Sequence, residues 1–242
     1  MTERQTALVT GANKGIGREI ARRLAMEGQT VWIGCRDRDR GEAAVTMLAR
    51  DGADVRLLEL DVTDDASVSA AAQALGRETD RLDVLVNNAG VALGFRVPPS
   101  EEPVGQMKAI YEVNVFGPVR VTQAFLPLLK ASAAARIVMM SSGLGSIGMA
   151  LDPASEFHAI NFLGYNSSKT ALNAVTVAFA KELAPLGIKV NAADPGYTAT
   201  DLNGNRGYRT VEQAAEIVVR LATLDGDGPT AGYFNDEGPL PW

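Results

Sequence analysis

The sequence contains few of the residues that build disulfides, metal sites or membrane spans. Its 242 residues include one cysteine, Cys35, so no disulfide can form within the chain, and one histidine, His158. One Cys and one His are too few for a structural zinc site, and we expect no metal. No apolar run approaches the roughly 20 residues that span a bilayer, and the N-terminal MTERQTALVT has no apolar signal region. A reducing, cytoplasmic location is the expectation.

Positive charge is also in short supply. The formal net charge is −6 at pH 7, which disfavours nucleic acid and anionic membranes as partners, although local basic clusters remain possible. No Ser/Pro/Gly-rich linker, composition break or internal repeat divides the chain, so we expect residues 1–242 to form one domain. Hydrophobic residues make up 46% of the chain, enough to bury a sheet under helices on both faces.

Short β-rich runs alternate with helical patterns along the whole chain. Seven runs are predicted as strands, at about 6–9, 31–33, 55–60, 82–86, 137–140, 188–193 and 233–234. The alternation implies parallel pairing with right-handed crossovers. We therefore predict a doubly wound (Rossmann) α/β fold with a mostly parallel, seven-stranded sheet. Ligands of such sheets bind beyond the carboxyl ends of the strands.

The first predicted strand ends in a glycine-rich loop, TGANKGIG at 10–17, and a helical pattern follows. Gly11, Gly15 and Gly17 would permit a tight turn and let the backbone approach a pyrophosphate at the helix N-terminus. Many such glycine patterns are simply turns. The spacing G-x-x-x-G-x-G departs from G-x-G-x-x-G and is used by fewer families, so it favours a dinucleotide-binding loop more specifically.

The second predicted strand runs into a charged stretch that begins at Arg36. An acidic residue at this point accepts a hydrogen bond from a ribose 2′-OH, whereas an Arg accommodates a 2′-phosphate. Arg36 comes first, and Lys14 in the glycine loop can approach the same phosphate. We therefore expect NADP(H) as cofactor, while Asp37 leaves open an ordinary charged loop before a helix.

Tyr165 and Lys169 stand one turn apart in a predicted helix that has no Gly or Pro from 165 to 181. A free phenol has a pKa near ~10. A cation about 5–6 Å away favours the phenolate and lowers that pKa. A Tyr made acidic in this way can exchange a proton with a substrate oxygen. The alternative is that the two residues merely share a partly solvated helix face.

Together these patterns resemble the short-chain dehydrogenase/reductase family, in its compact single-domain subtype, over essentially the whole chain. The matching segments are TGANKGIG at 10–17, Asp61-Val62, NNAG at 87–90, Asn114, Ser142, Tyr165-x-x-x-Lys169, and Pro195-Gly196 with Thr198. The glycine loop, the stretch CRDRDRGEAA and the long approach to Tyr165 are most similar to the NADPH-dependent carbonyl reductases of that family.

The resemblance implies a role for each matching position. Tyr165 would be the general acid in carbonyl reduction and the general base in alcohol oxidation. Lys169 would lower the pKa of Tyr165 and bond the nicotinamide ribose. Ser142 would hold the substrate oxygen, and Asn114 would support a water between Lys169 and solvent. The implied cofactor contacts are Gly11, Asn13, Lys14, Gly15, Ile16, Gly17, Arg36, Asp61, Val62, Asn88, Ala89, Gly90, Tyr165, Lys169, Pro195, Gly196 and Thr198.

Three segments are expected to form the walls of the substrate pocket, at about 91–104, 143–164 and 197–209. Their apolar members are Leu93, Phe95, Met149, Leu151, Phe157, Phe162, Tyr197, Leu202 and Tyr208. As a group these residues predict a small apolar or aromatic ketone, aldehyde or quinone as partner. The stretch 151–160 makes the approach to Tyr165 longer than in many compact members, and we predict that it covers the substrate. A homo-oligomer, dimer or tetramer, is one expectation and a monomer the other.

Two rival functions compete with this one. Ser146, Asp152 and His158 follow the order of an α/β-hydrolase triad, but the segment lacks the first Gly of G-x-S-x-G and the three residues fall in one short stretch. A non-catalytic NADP(H)-binding sensor on the same fold is the second rival. Such a sensor would have no reason to keep Ser142, Tyr165 and Lys169 together.

Overall fold

The fold is built from one sheet and eight α-helices in the part of the chain that the computed structural model describes, residues 4–94 and 97–242. The strands are β1 (Thr6–Thr10), β2 (Thr30–Cys35), β3 (Val55–Glu59), β4 (Val84–Asn87), β5 (Arg136–Met140), β6 (Lys189–Ala193), β7 (Tyr233–Asn235) and β8 (Gly238–Pro239). The helices are α1 (Gly15–Met26), α2 (Arg38–Arg50), α3 (Asp65–Glu78), α4 (Val104–Tyr111), α5 (Gly117–Ala131), α6 (Ile147–Leu151), α7 (Leu163–Leu183) and α8 (Val211–Ala222).

The strand order β3-β2-β1-β4-β5-β6-β7-β8 confirms the doubly wound α/β fold. Strands β1 to β7 pair in parallel, and only β8 runs antiparallel, against β7. The sheet therefore has eight strands where the sequence predicts seven. The missed strand has two residues, Gly238 and Pro239, a pair too short to show an alternating pattern and poor in strand-forming side chains.

Alternation along the strands explains why helices cover both faces of the sheet. In β1, Ala7 and Val9 pack into a core with α1, α2 and α8, whereas Leu8 between them packs into a second core with α3, α5 and α7. Successive strand residues point to opposite faces, so a strand buried on both sides reads as a continuous apolar run. Each helix then needs only one apolar stripe to complete its core.

The strand order reverses at β1, whose neighbours are β2 on one side and β4 on the other. Crossovers leave β1 toward one side of the sheet and later enter β4 on its other side, so the loops after these strands diverge and leave a crevice. The loops that follow β1, β2, β4, β5 and β6 open on this edge. Each of them carries one of the motifs singled out in the sequence.

The helix that carries Asn114 is interrupted by a π-helical segment, Glu112–Phe116, between α4 and α5. The sequence predicts a bend slightly later, at Gly117 and Pro118. Pro118 has no N–H to give to the carbonyl of Asn114, and the Gly117 N–H donates to the carbonyl of Glu112, five residues back. The widened turn thus ends two residues before Pro118 and contains Asn114. Such segments occur frequently at functional sites.

The approach to Tyr165 is more ordered than the irregular stretch predicted for residues 143–164. It contains a 3₁₀ turn, Gly143–Gly145, followed by α6. Phe95, one of the predicted pocket residues, lies outside the described residues. None of the helices in the described ranges is long and apolar enough to cross a membrane.

Candidate active site

A cleft of about 840 Å³ runs along the carboxyl edge of the sheet. It brings together most of the predicted cofactor positions: Gly11, Asn13, Lys14, Gly15, Ile16, Gly17, Arg36, Asp61, Val62, Asn88, Ala89, Gly90, Tyr165, Lys169 and Pro195. Gly196, Thr198, Ser142 and Asn114 do not line it. The Thr198 hydroxyl instead donates to the carbonyls of Pro195 and Gly196, at 3.2 and 3.1 Å, and so helps to shape the loop after β6.

The glycine loop packs closely against the loop after β4. Gly11 has φ +65°, and a Cβ there would lie 2.9 Å from the Ala89 Cα. A Cβ at Gly17 would overlap Nδ2 of the Asn88 side chain. Thr10, which the sequence analysis did not single out, joins the two loops because its hydroxyl oxygen lies 3.0 Å from the N–H groups of both Asn88 and Ala89. These glycines are required by close backbone packing.

The N-terminus of α1 is suited to an anionic group. Its N-cap residue is Lys14, and no side chain of the described residues caps the first turn. The first N–H groups of a helix have no partner inside the helix and lie at the positive end of its dipole. With the glycine loop leaving room for a close approach, this end of the cleft has the form of a pyrophosphate cradle.

Charged residues surround the cleft where β2 ends. Arg36, Asp37 and Arg40 all line it. The Asp37 carboxylate caps α2 by accepting the Arg40 N–H at 3.0 Å, which gives this acid a structural task of its own. Lys14 reaches across to Asp201, with Nζ 2.8 Å from Oδ2. Arg40, the other exposed arginine here, pairs with Asp37 through Nε and Oδ2 at 3.3 Å, whereas Arg36 is exposed and lines the cleft.

Asp61 follows β3 and lies on the same edge. Its Oδ1 accepts both the N–H and the hydroxyl of Thr63, at 2.9 and 2.7 Å. Burial on its own would raise the pKa of Asp61, but the two bonds from Thr63 and the charges of Arg36 and Arg120 outweigh it and hold the pKa below its ordinary value. Asp61 is therefore a fixed, ionised acceptor at this end of the cleft.

Tyr165 and Lys169 lie on α7, as predicted, and face the loop after β5. The Lys169 Nζ is 5.7 Å from the centre of the Tyr165 ring and donates to the carbonyl of Met140 at 2.7 Å. Burial lowers the pKa of Lys169 to about 8. The side chains of Ser142 and Tyr165 form a hydrogen bond. The three residues are thus brought together from two elements.

The predicted acidification of Tyr165 by Lys169 is not found in this structure. The pKa of Tyr165 is raised to about 12: burial raises it most, the hydrogen bond to Ser142 lowers it, and the charge of Asp194 adds a smaller rise. The Lys169 ammonium is directed at the Met140 carbonyl, 5.7 Å from the centre of the Tyr165 ring, and its charge does not offset the desolvation of the phenol. Tyr165 is therefore protonated at neutral pH.

Asn114 is buried and connects α7 to the segment after β4. Its Oδ1 accepts the Val91 N–H at 2.9 Å, and its Nδ2 donates to the Val91 carbonyl at 2.9 Å and to the Ser168 hydroxyl at 3.1 Å. The widened π turn places this amide where it can reach both partners. Asn114 thereby fixes the helix turn that carries Lys169.

Two buried residues that the sequence analysis assigned no role hold the loop of Ser142. The hydroxyl of Tyr233 donates to the Ser142 carbonyl. Asp194, the last residue before Pro195, accepts the N–H of Gly196 at 3.0 Å and the N–H of Gly143. A signal for Asp194 exists in the sequence, since an acid directly after a buried strand stands at the ligand edge of the sheet. Tyr233 offers no such signal.

Glu102 is a third residue without a predicted role. Its buried carboxylate accepts the Gly164 N–H at 2.9 Å, and Phe162 provides no side-chain cap for α7. Glu102 therefore caps α7 from a distant segment, at Gly164, one residue before Tyr165. A glycine is needed at 164, because a Cβ there would overlap the Glu102 carboxylate.

The arrangement of the rival hydrolase triad is absent from the described residues. The Ser146 hydroxyl caps α6 by accepting the Met149 N–H at 3.1 Å. The Nδ1 of His158 lies 3.0 Å from the carbonyl of Ala150, and Asp152 bonds within its own turn. These three side chains form no relay. Within residues 4–94 and 97–242, no group of three or more His, Cys, Asp or Glu could hold a metal ion.

Comparison with known proteins places the chain in a family. The family model described as short chain dehydrogenase matches residues 5–210. A short-chain dehydrogenase of Penicillium roqueforti is 36% identical over 236 residues, covering 95% of this chain and 93% of that protein. A (+)-neomenthol dehydrogenase of Arabidopsis thaliana is 34% identical, with 94% of each chain covered.

A solved structure agrees with this assignment. NADPH-bound carbonyl reductase from chicken fatty liver has a TM-score of 0.86 and 30% sequence identity, and the match covers 100% of both chains. The doubly wound fold accords with these likenesses. The chain belongs to the short-chain dehydrogenase/reductase family and is an oxidoreductase.

Proposed function

We propose that the protein transfers a hydride between NADP(H) and an apolar or aromatic carbonyl compound or the corresponding alcohol, and that it works mainly as a reductase. The observation that carries the proposal is the cluster of Ser142, Tyr165 and Lys169 beside a dinucleotide-shaped cleft. Substrates of this description include ketones, aldehydes and quinones.

The choice of NADP(H) rests on the charges where β2 ends. Arg36 lines the cleft as an exposed cation, and Asp37 is occupied as the cap of α2. A guanidinium recognises a phosphate with charge-assisted hydrogen bonds, whereas a 2′-OH would call for a free acid. Lys14 lines the same cleft. The fact that NADPH is bound in the carbonyl reductase from chicken fatty liver adds support.

The side chains of the cluster have separate tasks in this proposal. When bound, the dihydronicotinamide supplies the hydride. Tyr165, which a pKa of about 12 leaves protonated at neutral pH, gives its proton to the carbonyl oxygen. The Ser142 hydroxyl donates a hydrogen bond to the same oxygen and stabilises its developing negative charge. In the oxidation direction Tyr165 takes the proton back.

Lys169 contributes a buried positive charge. Its pKa of about 8 keeps it largely protonated at neutral pH, and its ammonium is held beside the phenol by the Met140 carbonyl. We infer that it orients the ribose next to the nicotinamide and that Asn114 provides the path by which protons reach it. Both roles follow from the family resemblance and from the positions of these side chains in α7 and the π turn.

An apolar substrate is favoured by the rim of the cleft. Leu93 and Leu202 are exposed and line it, and Tyr197 and Tyr208, the latter 70% exposed, lie in the same segment as Leu202. The rings of Tyr197 and Tyr208 meet edge to face, 6.0 Å apart. Clustered exposed apolar groups at a cleft are typical of a ligand surface. A (+)-neomenthol dehydrogenase among the relatives has a name that fits an apolar alcohol.

The stretch 151–160 is proposed as a cover for the substrate. Its Phe157 ring packs on Gly143, next to Ser142, so closely that a Cβ on Gly143 would overlap the ring. Leu151, by contrast, is 72% exposed and does not pack inward. One apolar side chain is thus already seated beside the catalytic serine, where excluding water strengthens the electrostatic contacts of the site.

Turnover of the cofactor tests the proposal. The absorbance of NADPH and of NADH is followed with a panel of ketones, aldehydes and quinones, and the reverse reaction with secondary alcohols. We expect consumption of NADPH that depends on an apolar carbonyl compound and is lost in Tyr165→Phe. NADPH binding without turnover of any compound would favour the non-catalytic sensor instead.

A further inference from the structure

We propose that Asp194 is a positioning residue of the active site: it ties the loop of Ser142 to the loop after β6 and so keeps the Ser142 hydroxyl directed at Tyr165. This inference rests on the proposed function, because it concerns the proton that Tyr165 gives to the substrate. Asp194 is a buried acid that neither lines the cleft nor belongs to the residues already assigned a catalytic task.

The carboxylate of Asp194 ties two active-site loops together. It accepts the Gly196 N–H at 3.0 Å and also the N–H of Gly143, the residue directly after Ser142. Its own N–H donates to the Phe234 carbonyl at 2.8 Å, which anchors it to the end of β7. The loop after β5 and the loop after β6 are therefore held at one spacing by a single side chain.

The position of this link matters for the reaction. Ser142 must place its hydroxyl on the substrate oxygen while it is bonded to Tyr165, and a misplacement of about 1 Å can cost roughly 100-fold in rate. The Tyr233 hydroxyl holds the Ser142 carbonyl from the other side. Tyr233 thus holds the carbonyl of Ser142, and Asp194 holds the N–H of the next residue, Gly143. The Ser142 side chain stays directed at Tyr165.

The charges around Asp194 leave it without a close cation. Among the described residues it forms no ion pair within 4 Å, and Arg209, the cation that acts on it, pairs with Asp236. Burial raises the pKa of Asp194, the N–H groups of Gly196 and Gly143 and the charge of Arg209 lower it, and the charge of Glu156 raises it. The titratable groups that feel its charge are Tyr165, Tyr208 and Tyr233.

A buried negative charge close to a phenol disfavours the phenolate. Asp194 raises the pKa of Tyr165 in this way, after burial, while Lys169 is turned to Met140. The protonated phenol is the reactant in carbonyl reduction and must first be ionised in alcohol oxidation. Asp194 therefore places the onset of alcohol oxidation, which needs the ionised phenol, at higher pH.

Replacing the acid tests both consequences. Asp194→Asn removes the charge and one of the two acceptors, and Asp194→Ser is a second, smaller variant in case the amide does not fold. We expect kcat for reduction to fall about tenfold or more, by the loss of one hydrogen bond to the Ser142 loop, with KM for NADPH changed by less than about threefold. The pH at which oxidation reaches half its maximum should move down.

A direct titration of Tyr165 gives a readout that does not need turnover. The ultraviolet absorbance of the phenolate is recorded against pH, and Tyr165 is isolated as the difference from a protein that also carries Tyr165→Phe. Asp194→Asn should lower the midpoint of that difference. If the unmodified protein consumed no cofactor at all, the proposed function would fail, while this titration would still decide the role of Asp194.

Asp83 provides a matched control. It is equally buried, accepts the Thr6 N–H at 2.8 Å and the Ser132 hydroxyl at 2.6 Å, and lies before β4 at the opposite edge of the sheet. Asp83→Asn should lower the melting temperature but leave kcat per folded molecule and the Tyr165 midpoint unchanged. An Asp194→Asn protein with unaltered kcat and an unaltered Tyr165 midpoint would overturn the proposal.

Discussion

The two proposed halves of the site differ in how their residues are held. At the cofactor half, formed by the loops at 10–17 and 87–90, the two loops pack directly on each other: the Thr10 hydroxyl accepts the N–H groups of Asn88 and Ala89, and Gly11 leaves no room for a side chain. At the proposed substrate half, the segments 143–164 and 197–209 carry exposed large apolar side chains such as Leu151 and Tyr208, and 197–209 reaches the cleft through Leu202. The first half is complete in itself, whereas the second offers apolar surface to a ligand.

From this difference we infer that one part of the protein sets the chemistry and another part sets the choice of substrate. Preorganised backbone contacts define a binding site of fixed shape, suited to one cofactor. Exposed apolar loops can change without disturbing the core, because few buried contacts depend on them. We therefore expect changes at the junction of the halves to affect kcat, changes in the first half to affect cofactor affinity, and changes in the second to affect KM for the substrate.

The largest effect is expected at the junction, where Tyr165 stands between the halves. Tyr165→Phe removes the proton donor and keeps the ring. The rate kcat should fall by about 10²–10⁴-fold, the range typical of general acid catalysis, while the circular dichroism spectrum and NADPH affinity stay close to those of the parent. Near-full turnover by the Phe variant would show that another group supplies the proton.

The next effect is expected in the cofactor half, at Arg36. Arg36→Ala should weaken NADPH binding by ~1.5–3 kcal/mol, or roughly ten- to over a hundredfold, through lost charge-assisted bonds to one phosphate, and should leave NADH binding nearly unchanged. Arg38→Ala is the control, because Arg38 is equally charged but pairs with Glu42 at 2.8 Å and does not line the cleft. Equal affinity of the unmodified protein for both cofactors would contradict the role of Arg36.

A third prediction concerns the cost of burying Lys169 at the junction. Burial lowers its pKa from 10.5 to about 8, so between these values the unfolded chain binds more protons than the folded one. The free energy of unfolding should therefore rise with pH in this window, by up to about 3 kcal/mol. Tyr165 acts in the opposite sense above pH 10, because its raised pKa lets the folded state keep a proton that the unfolded chain loses.

Chemical denaturation at pH 8 and pH 10 checks this prediction, with Lys169→Met as the comparison. The Met variant lacks the titrating amine, and its stability should not show the rise over this window. A parent protein whose free energy of unfolding stays flat or falls over the same window would mean that Lys169 keeps an ordinary pKa in the folded state.

The smallest effect is expected in the substrate half. Shortening 151–160 should leave NADPH affinity nearly unchanged, because this stretch does not line the cofactor cleft, and should raise KM for bulky ketones several-fold or broaden the range of substrates. Phe157→Ala is a milder test of the same idea. Unchanged KM values over the whole panel, in a variant that folds correctly, would show that the stretch is only a surface loop.

The sequence predicted the cofactor half better than the rest, for a physical reason. Glycine spacing, the strand ends and the i, i+4 pairing of Tyr165 with Lys169 are local patterns, and the parallel sheet follows from the order of the elements. Contacts between distant segments leave no such pattern. Glu102 caps α7 from 62 residues away, and Tyr233 reaches Ser142 across 91 residues.

Electrostatics was the second point at which the sequence fell short. The spacing of Tyr165 and Lys169 is as expected, yet the pKa of Tyr165 is raised to about 12, because burial and Asp194 act on it more strongly than the lysine. Helix spacing specifies which side chains share a face, but the direction of an ammonium and the depth of burial depend on the whole fold.

The proposed function depends most on the transfer of a hydride from NADPH to an apolar carbonyl carbon. The direct measurement uses NADPH deuterated at the transferable position, together with the carbonyl compound from the panel that is turned over best, and determines the mass of the alcohol product. We predict an alcohol that carries one deuterium from the cofactor, and none formed by Tyr165→Phe on the same time scale. An alcohol without deuterium, or no alcohol at all while NADPH remains bound, would contradict the account.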